Sequence, residues 1–386
     1  MNLRRGLGIV VVLWPMWSGT GEAQLVVSAN DAKAMLVDGV TTVARNPPPD
    51  TVTIIDLSVS PARTIGEVRA PNSVIGPPQS VAIAPDESIA LVASSTRLDP
   101  ASPAGTAPDD VVTVIDLKAT PPAVLATVRA GRGASGVSFN PAGTLALVAN
   151  RMEGTISILT VNGKTVTAAG KVDLGAPESG PSHVAFTRDG RTALVTRNND
   201  SFISLLTVDG TNVTYAKKDM AGGLKPYGLE VSPTADLAFA GNIGAGASGG
   251  ADTISVFDLR ADPPRAIDHI TVGPIAEGIA VSSNGQYLAV TVMNGTNAPK
   301  SSPLFNDFGR LRIYGVSNRT LLPIAEARIG HWCQGTAWSR DNRTVLAQCI
   351  VEREIRVFKF DGIRLTPAGS IKVNGGPAGI RTAGRR

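Results

Sequence analysis

Alternation of apolar and polar residues, with a period of two, recurs along most of the chain. In the stretch 180–200, GPSHVAFTRDGRTALVTRNND, two alternating runs flank a turn that contains Asp189 and Gly190. Such alternation predicts β-strands with one buried face, and a short Asp/Gly turn between two of them predicts an antiparallel hairpin. This region is therefore expected to form a β-hairpin.

The same hairpin pattern is repeated along the chain. Related stretches begin at Pro77, Gly133, Gly180, Lys225, Ile275 and Trp332. Each is followed by a third alternating run, such as VVTVIDL from Val111 or TISVFDL from Thr253, and then by a fourth. Four short strands that recur with a period of roughly 45 to 55 residues are typical of a β-propeller.

Seven third strands can be recognised, which predicts seven blades and an all-β fold. The chain enters the pattern at Gln24, and the stretch GGPAGIRTAG from Gly375 repeats the opening of a first strand. We therefore expect the C-terminal strand to join the N-terminal blade, which closes the ring and leaves few unpaired strand edges. The prediction is a single seven-bladed β-propeller of four-stranded antiparallel blades over residues 24–386.

Residues 1–23 have a different character. Arg4 and Arg5 precede an apolar run from Leu7 to Trp17, and small residues follow as far as Ala23. This order is typical of a secretory signal peptide, and the run is shorter than the roughly 18 residues that a membrane span needs. An uncleaved anchor is the alternative. We expect a periplasmic or secreted protein with no membrane span after signal cleavage.

Composition and charge narrow the function classes only slightly. Hydrophobic residues make up 43% of the chain and aromatic residues 4%, so the core must be built from small aliphatic side chains, which suits stacked sheets. The net charge of +4 is scattered, so nucleic acid is possible as a partner but not indicated. The chain contains no CxxCH, GxSxG or HExxH motif and no phosphate-binding glycine loop, so no cofactor is predicted.

The repeat resembles the YVTN-type β-propeller family. The unit of that family has a Pro-x-Gly start, a Ser-Pro-Asp-Gly-like turn, a Val-Thr-Asn-like end of the second strand and a Val-x-Val-Ile-Asp-Leu-like third strand. The resemblance covers nearly the whole chain after residue 23 and implies the seven-bladed fold. Members include secreted and surface propellers of unknown role, and relatives of the phosphogluconolactonase-type lactonases share the architecture.

One face of the propeller is the candidate binding surface, because the loops that enter the first strands and those that join the second and third strands lie together there. The second residues of the seven Pro-x-Gly-like starts should together form a ring around the mouth of the central channel. These residues are Gln79, Ser135, Ser182, Tyr227, Glu277, Gln334 and Ala378. Long second-to-third loops in blades 1, 2, 5 and 6 are expected to form two raised walls with lower ground between them.

The binding residues predicted on this face are polar or aromatic. They are Gln79, Arg97, Arg151, Arg197, Tyr227, Glu277, His331, Trp332 and Gln334.

Histidine is scarce, and His183 is the candidate for catalysis. Its context GPSHVAF is similar to the GPRHxxF stretch of the lactonase-type propellers, in which the Arg and His face the presumed active cleft; Ser182 replaces that Arg here. The resemblance implies a general base at His183 beside Arg197, with Glu277 as a further catalytic candidate. The alternative is a structural histidine at a strand start, and His269, in a fourth strand, is expected to be structural.

The two cysteines belong to one predicted hairpin. Counting outward from the turn at Asp341 and Asn342 places Cys333 opposite Cys349. In an oxidising compartment they should form a disulfide, and closing a loop of about 15 residues stabilises by roughly 3 kcal/mol in the chain-entropy model. A copper(I) or zinc site with His331 is the alternative, although no fourth ligand is evident.

The sequence therefore favours a monomeric binding or scaffold module that holds a protein, glycan or small ligand at the channel mouth. A lactonase-like hydrolase that uses His183, Arg197 and Glu277 is the alternative. A weaker alternative is binding of single-stranded nucleic acid, with Tyr227 and Trp332 as stacking platforms.

Overall fold

The computed structural model describes residues 24–245 and 250–383, which form seven four-stranded antiparallel sheets and two short hairpins. Each innermost strand contacts the innermost strands of the two neighbouring blades, so the blades form a closed ring around a central channel. The predicted seven-bladed propeller is confirmed. The predicted signal peptide at residues 1–23 lies outside the described residues.

The strands are numbered in chain order and described blade by blade. Blade 1 contains β1 (Leu25–Asp31), β4 (Thr51–Asp56) and β5 (Arg63–Arg69), with the hairpin β2 (Ala34–Val37) and β3 (Val40–Val43) between β1 and β4. Blade 2 contains β6 (Val81–Ile83), β7 (Ile89–Ala93), β10 (Val111–Asp116) and β11 (Ala123–Arg129), with the hairpin β8 (Thr96–Leu98) and β9 (Thr106–Pro108) between β7 and β10. Blade 3 contains β12 (Ala134–Phe139), β13 (Leu145–Asn150), β14 (Thr155–Asn162) and β15 (Thr165–Asp173).

The remaining four blades follow the same order from the channel outward. Blade 4 follows a short 3-10 helix (Pro177–Ser179) and contains β16 (Pro181–Phe186), β17 (Thr192–Arg197), β18 (Phe202–Asp209) and β19 (Asn212–Ala221). Blade 5 contains β20 (Pro226–Val231), β21 (Leu237–Asn242), β22 (Asp252–Asp258) and β23 (Arg265–Gly273). Blade 6 contains β24 (Ala276–Val281), β25 (Tyr287–Val292), β26 (Gly309–Ser317) and β27 (Thr320–Ile329). Blade 7 contains β28 (Cys333–Trp338), β29 (Thr344–Cys349), β30 (Glu354–Phe360) and β31 (Leu365–Lys372).

The last strand, β32 (Gly376–Thr382), returns to blade 1 and becomes its innermost strand. It pairs antiparallel with β1, with Val26 opposite Thr382 and Ser28 opposite Ile380. This confirms the predicted closure of the ring by the C-terminal strand.

The core lies between adjacent blades and is made mainly of aliphatic side chains, as the composition predicted. Leu147 of blade 3, for example, belongs to the same buried cluster as Val184 and Val195 of blade 4. A glycine near the start of an innermost strand lets neighbouring blades approach each other. A Cβ added at Gly278 would lie 1.8 Å from the backbone oxygen of Gln334 in the next blade.

In the part of the chain that the structure describes, no helix is both long enough and apolar enough to cross a membrane.

Candidate functional site

The two ends of the channel are built differently. The entry face carries the loops that lead into the innermost strands and those that join second to third strands. The turn face carries the hairpin turns between first and second strands, together with the ends of β1 and β32. The predicted binding residues lie on or below the entry face.

The predicted ring of polar residues forms a buried layer inside the channel. Gln79, Tyr227, Glu277 and Gln334 are 2%, 6%, 5% and 3% exposed, respectively. The side-chain amide of Gln79 crosses from blade 2 to donate to the backbone oxygen of Ile279 in blade 6, at 3.2 Å. The structure therefore brings these ring residues together, as the repeat predicted.

Arg151 is the cation of this layer. It follows β13, is half-buried, and donates hydrogen bonds to Ser182 Oγ and, at 2.8 Å, to Asn198 Oδ1. Its guanidinium carbon lies 5.2 Å from the centre of the Tyr227 ring. These partners are all neutral, so they orient the guanidinium without offsetting its charge.

Glu277 is the acid that faces this cation. Burial raises the pKa of its carboxyl to about 8, although a hydrogen bond from Gln334 and the charge of Arg151 act in the opposite direction. Burial likewise raises the pKa of Tyr227, whose hydroxyl stays protonated. At pH 7 Glu277 is therefore mostly neutral, and the layer carries the positive charge of Arg151.

An apolar cluster lies over part of the channel mouth. Val74, Ile275, Met293, Trp332 and Ile350 form this cluster together with the ring residue Ala378. Val74 belongs to the loop between β5 and β6, and this loop is held to blade 5 by a hydrogen bond from the Gly76 amide to the Tyr227 hydroxyl, at 2.9 Å.

The long loops extend this cover. Ala34 and Leu36 of the β2–β3 hairpin pack against the apolar cluster, and the Lys300 amide of the blade 6 loop donates to Asp38 Oδ1 at the hairpin tip, at 3.0 Å. The loops of blades 1 and 6 therefore meet over blade 7. In blades 3 and 4 the corresponding connections are four-residue turns, so the surface beside Arg151 is lower.

His183 lies below this layer and is fully buried. Its Nδ1 accepts a hydrogen bond from the Leu229 amide at 3.2 Å, which places the proton of the neutral ring on Nε2. Burial, with a smaller contribution from the charge of Arg381, lowers the pKa of His183 well below its usual value. Hydrogen bonds with the backbone of Leu229 and Val137 act in the opposite direction.

Arg197 points into its own blade and not toward His183. Its guanidinium donates to Asp200, to Ser204 Oγ and, at 3.1 Å, to Asp219 Oδ2. It occupies the place in the repeat that Asn150 and Asn242 hold in blades 3 and 5, where the side chain binds polar groups of the third strand. The expected arrangement of His183 beside Arg197 is therefore not found, because the acids of blade 4 hold the guanidinium elsewhere.

The other candidates lie around the rim. Arg97 is exposed on the β8–β9 hairpin. His331 contacts Glu352 Oε1 through Nδ1 at 2.6 Å and Asp307 Oδ1 through Nε2 at 3.1 Å. Burial acts to lower the pKa of His331, but the hydrogen bonds to these two acids outweigh it and raise the pKa.

The predicted stacking platforms are not available for nucleic-acid bases. Trp332 is 7% exposed and lies inside the apolar cluster, and the Tyr227 ring is covered on one side by Arg151. Base stacking needs open aromatic faces. The structure therefore does not support the nucleic-acid alternative.

Cys333 and Cys349 face each other in the pairing of β28 with β29 and form a disulfide, with Cα atoms 4.0 Å apart. The predicted disulfide is confirmed. Because each sulfur is bonded to the other, neither can serve as a thiolate ligand in the metal site considered as its alternative.

The sequence interpretation missed the turn face, where Arg381 of β32 donates to Glu230 of β20 at the base of a cavity of about 440 Å³. The sequence contained an indication of this pair, because Arg381 and Glu230 both stand at a position of the repeat that is alanine in most of the other blades.

Comparisons with known proteins identify the fold and its structural neighbours. No family model and no curated protein matches the chain. The chain is similar to the structure of a putative 6-phosphogluconolactonase from Bacteroides uniformis, with 16% identity, a TM-score of 0.71 and coverage of 94% of this chain and 99% of the other. The periplasmic gluconolactonase of Pseudomonas aeruginosa is 15% identical, with a TM-score of 0.67 and the same coverage. A functionally unknown protein from Desulfotomaculum acetoxidans is 12% identical, with a TM-score of 0.69 and the same coverage.

The chain is a seven-bladed β-propeller with lactonase-like structural neighbours. At these identities the likeness shows the fold alone. Membership of the YVTN-type family stays a prediction.

Proposed function

We propose that this protein is a periplasmic or secreted binding module whose entry face holds a carboxylate group of a protein, glycan or small ligand at Arg151. The observation that carries the proposal is the charge of Arg151, which is half-buried and hydrogen-bonded to neutral groups. A guanidinium has five N–H donors in a planar fork that matches a carboxylate. Ser182 and Asn198 hold it in place and leave further donors for a ligand.

Arg197 provides the contrast on the same face. Its charge is offset by Asp200 and Asp219, so a ligand carboxylate near it would meet two acids as well as the guanidinium. The acid near Arg151 is Glu277, which is mostly protonated below pH 8. Binding of an anion at Arg151 is therefore expected at neutral pH and should weaken as pH rises through 8 and Glu277 ionises.

Two further observations support an extracytoplasmic location. One of the structural neighbours is named as a periplasmic gluconolactonase, and the Cys333–Cys349 disulfide suits an oxidising compartment.

Calorimetric titration of the protein with gluconate, glucuronate and citrate at pH 7 tests the proposal. We expect at least one of these acids to bind, and to bind at least tenfold more weakly to Arg151→Ala. The matched control is Arg97→Ala, an exposed arginine on the raised β8–β9 hairpin, which tests whether any surface arginine has the same effect. Equal affinity in the wild type and in Arg151→Ala, or no binding of any of the three acids, would contradict the proposal.

A lactonase-like hydrolase is the second candidate, and one contact favours it. Ser182 stands where the similar GPRHxxF stretch has its arginine, yet Arg151 of the neighbouring blade donates to Ser182 Oγ. A guanidinium from the neighbouring blade is thereby present beside the position that the arginine occupies in the similar stretch. Because His183 carries its proton on Nε2, its role toward a lactone carbonyl would be hydrogen-bond donation and not general base catalysis.

Acid release from glucono-δ-lactone and its 6-phosphate, corrected for spontaneous hydrolysis, tests this second candidate. Catalysis that is lost in both Arg151→Ala and His183→Ala but kept in Arg97→Ala would support it. Rates that equal the spontaneous rate, or that are unchanged in His183→Ala, would remove it and leave the binding proposal intact.

A further inference from the structure

The turn face has a cavity of its own at the mouth of the channel. It has a volume of about 440 Å³, within the range of ligand pockets, and the ends of the innermost strands of blades 1 to 5 form it. A smaller cavity of about 150 Å³ shares Glu230 and Arg381 with it. Phe139, Phe186 and Val231 give the larger cavity apolar walls.

Most blades have no charged residue at the position of the ion pair at the base of this cavity. Arg381 of blade 1 and Glu230 of blade 5 occupy the same position of the innermost strand. In the order of the chain, the seven residues at this position are Ala82, Ser138, Ala185, Glu230, Ala280, Ala337 and Arg381. Four blades therefore fill it with alanine. Arg381 nevertheless reaches across the channel to Glu230, and the two side chains are 19% and 14% exposed.

An ion pair in such a place carries a desolvation cost. Replacement of a buried ion pair by apolar residues is often neutral or stabilising, so its presence is poorly explained by stability alone. Both side chains line the cavity, and the exposed remainder of each offers hydrogen-bonding groups to its interior. The pair is therefore placed to recognise a ligand.

Among the residues that the structure describes, the charged side chains on the walls of the two cavities are paired. Arg188, on the wall of the larger cavity, pairs with Asp236 at 2.9 Å, and Arg340, on the wall of the smaller one, pairs with Glu87 at 3.1 Å. Together with Arg381 and Glu230, each cation that the described residues place on the walls of these two cavities has an acidic partner. Paired groups of this kind present donors and acceptors side by side, which suits a neutral polar ligand with both kinds of group.

From these observations we infer that the turn-face cavity binds a neutral carbohydrate, either a free sugar or the end of a glycan. A hydroxyl group both donates and accepts hydrogen bonds, so neighbouring hydroxyls can bind a guanidinium and a carboxylate side by side. The apolar walls with Phe139 and Phe186 suit the C–H surface of a sugar ring. This site is separate from Arg151 and does not depend on the function proposed for the entry face.

Calorimetric titration of the full-length Arg151→Ala variant, in which the entry-face cation is absent, with glucose, galactose, mannose and maltose tests the inference, and glucuronate and glucosamine are the charged comparisons. We expect saturable binding of at least one neutral sugar, at least tenfold tighter than the binding of glucuronate or glucosamine to the same variant. The double variant Glu230→Ala/Arg381→Ala, which restores the residue found in four blades, should lose this binding at least tenfold. Absence of saturation by every neutral sugar at 50 mM, or undiminished binding by the double variant, would overturn the inference.

A charge variant separates recognition from a merely structural role. Glu230→Gln, made in the Arg151→Ala background, leaves the charge of Arg381 without its acid, so the preference between glucose and glucuronate should shift toward glucuronate by at least tenfold. An unchanged preference would overturn the inference, even if the double variant fails to fold. Arg151→Ala should retain sugar binding, and the double variant should retain carboxylate binding, so the failure of either site can be told from the failure of the other.

Discussion

The role of a charged side chain in this propeller depends on which partners offset its charge. Arg151 and Arg197 follow or end the second strands of adjacent blades, yet Arg197 is held by two acids and Arg151 by Ser182, Asn198 and the Tyr227 ring. Only the neutral partners of Arg151 leave the positive charge of the guanidinium available to a ligand. Glu277 takes part in this difference because burial keeps it mostly neutral at pH 7.

The substitution Glu277→Gln tests this state of protonation. The folded protein holds a proton on Glu277 up to a pH of about 8, whereas the unfolded chain releases it near the ordinary pKa of 4.5. The free energy of unfolding should therefore fall as pH rises from 4.5 to 8 and level off above that pH. Glu277→Gln should remove this decline and be more stable than the wild type at pH 9, by about 5 kcal/mol.

Urea unfolding between pH 4 and pH 9 measures this effect. Glu178→Gln, at an exposed position, should keep the wild-type profile. A Glu277→Gln profile parallel to that of the wild type would show that the carboxyl is ionised in the folded protein.

Residue positions were predictable from the repeat, but residue partners were not. The alignment of the Pro-x-Gly starts places Gln79, Glu277 and Gln334 in one ring; in the structure all three are buried, and Gln334 donates a hydrogen bond to Glu277. One partner of Arg197 is Asp219, which lies in a fourth strand, and the repeat unit described above specifies no residue of the fourth strand. Contacts across the channel, such as Arg381 with Glu230, join residues 151 positions apart that no local pattern connects.

At the scale of strands and hairpins, alternation and turn chemistry predicted almost everything that forms a blade. The register of β28 with β29 followed from counting outward from the turn at Asp341, and the structure places Cys333 opposite Cys349 as expected. The hairpins β2–β3 and β8–β9 were missed as elements. The β8–β9 hairpin lies in a connection rich in Pro, Gly and Ser, which indicates a loop, whereas residues 34–43, AMLVDGVTTV, carry the Asp-Gly signal of a tight hairpin turn. The strands of both hairpins are only three or four residues long.

The disulfide gives a prediction at this scale. It closes a loop with a sequence separation of 16 residues, so Cys333→Ala/Cys349→Ala should be less stable than the wild type by about 3 kcal/mol. Both side chains are fully buried within blade 7, and the double variant should keep the propeller fold because all four strands of that blade remain. Denaturant unfolding measures the loss.

Reduction of the wild type is the matching control, since it breaks the same bond without changing side-chain packing. Native protein should show no free thiol before reduction and two after unfolding in reductant. A double variant as stable as the oxidised wild type would show that the bond contributes nothing beyond the pairing of the two strands.

At the scale of the whole molecule, closure of the ring was predictable because the stretches from Gln24 and from Gly375 carry complementary parts of one repeat. The chain supplies three strands of blade 1 first and its innermost strand last, so β32 and β1 hold the two ends of the propeller together. The filling of the channel was not predictable, because it depends on how far side chains of opposite blades reach across it. Gln79 crosses the channel in the buried layer below the entry face, and Arg381 crosses it at the base of the turn-face cavity.

Truncation of the chain after Asn374 tests closure directly. The shortened protein lacks β32, so β1 loses its inner partner, and the cluster that joins Ile380 to Val26 and Leu346 is opened. Burial of one large apolar side chain stabilises by about 1.5–3 kcal/mol, and a free strand edge promotes aggregation. Because native proteins are stable by only about 5–15 kcal/mol, loss of β32 should abolish cooperative thermal unfolding and give aggregates in size-exclusion chromatography.

Arg381→Ala in the full chain is the control, since it removes the ion pair but keeps the pairing of β32 with β1. A truncated protein that elutes as a monomer with the wild-type melting transition would show that six blades and an open seventh are sufficient for this fold.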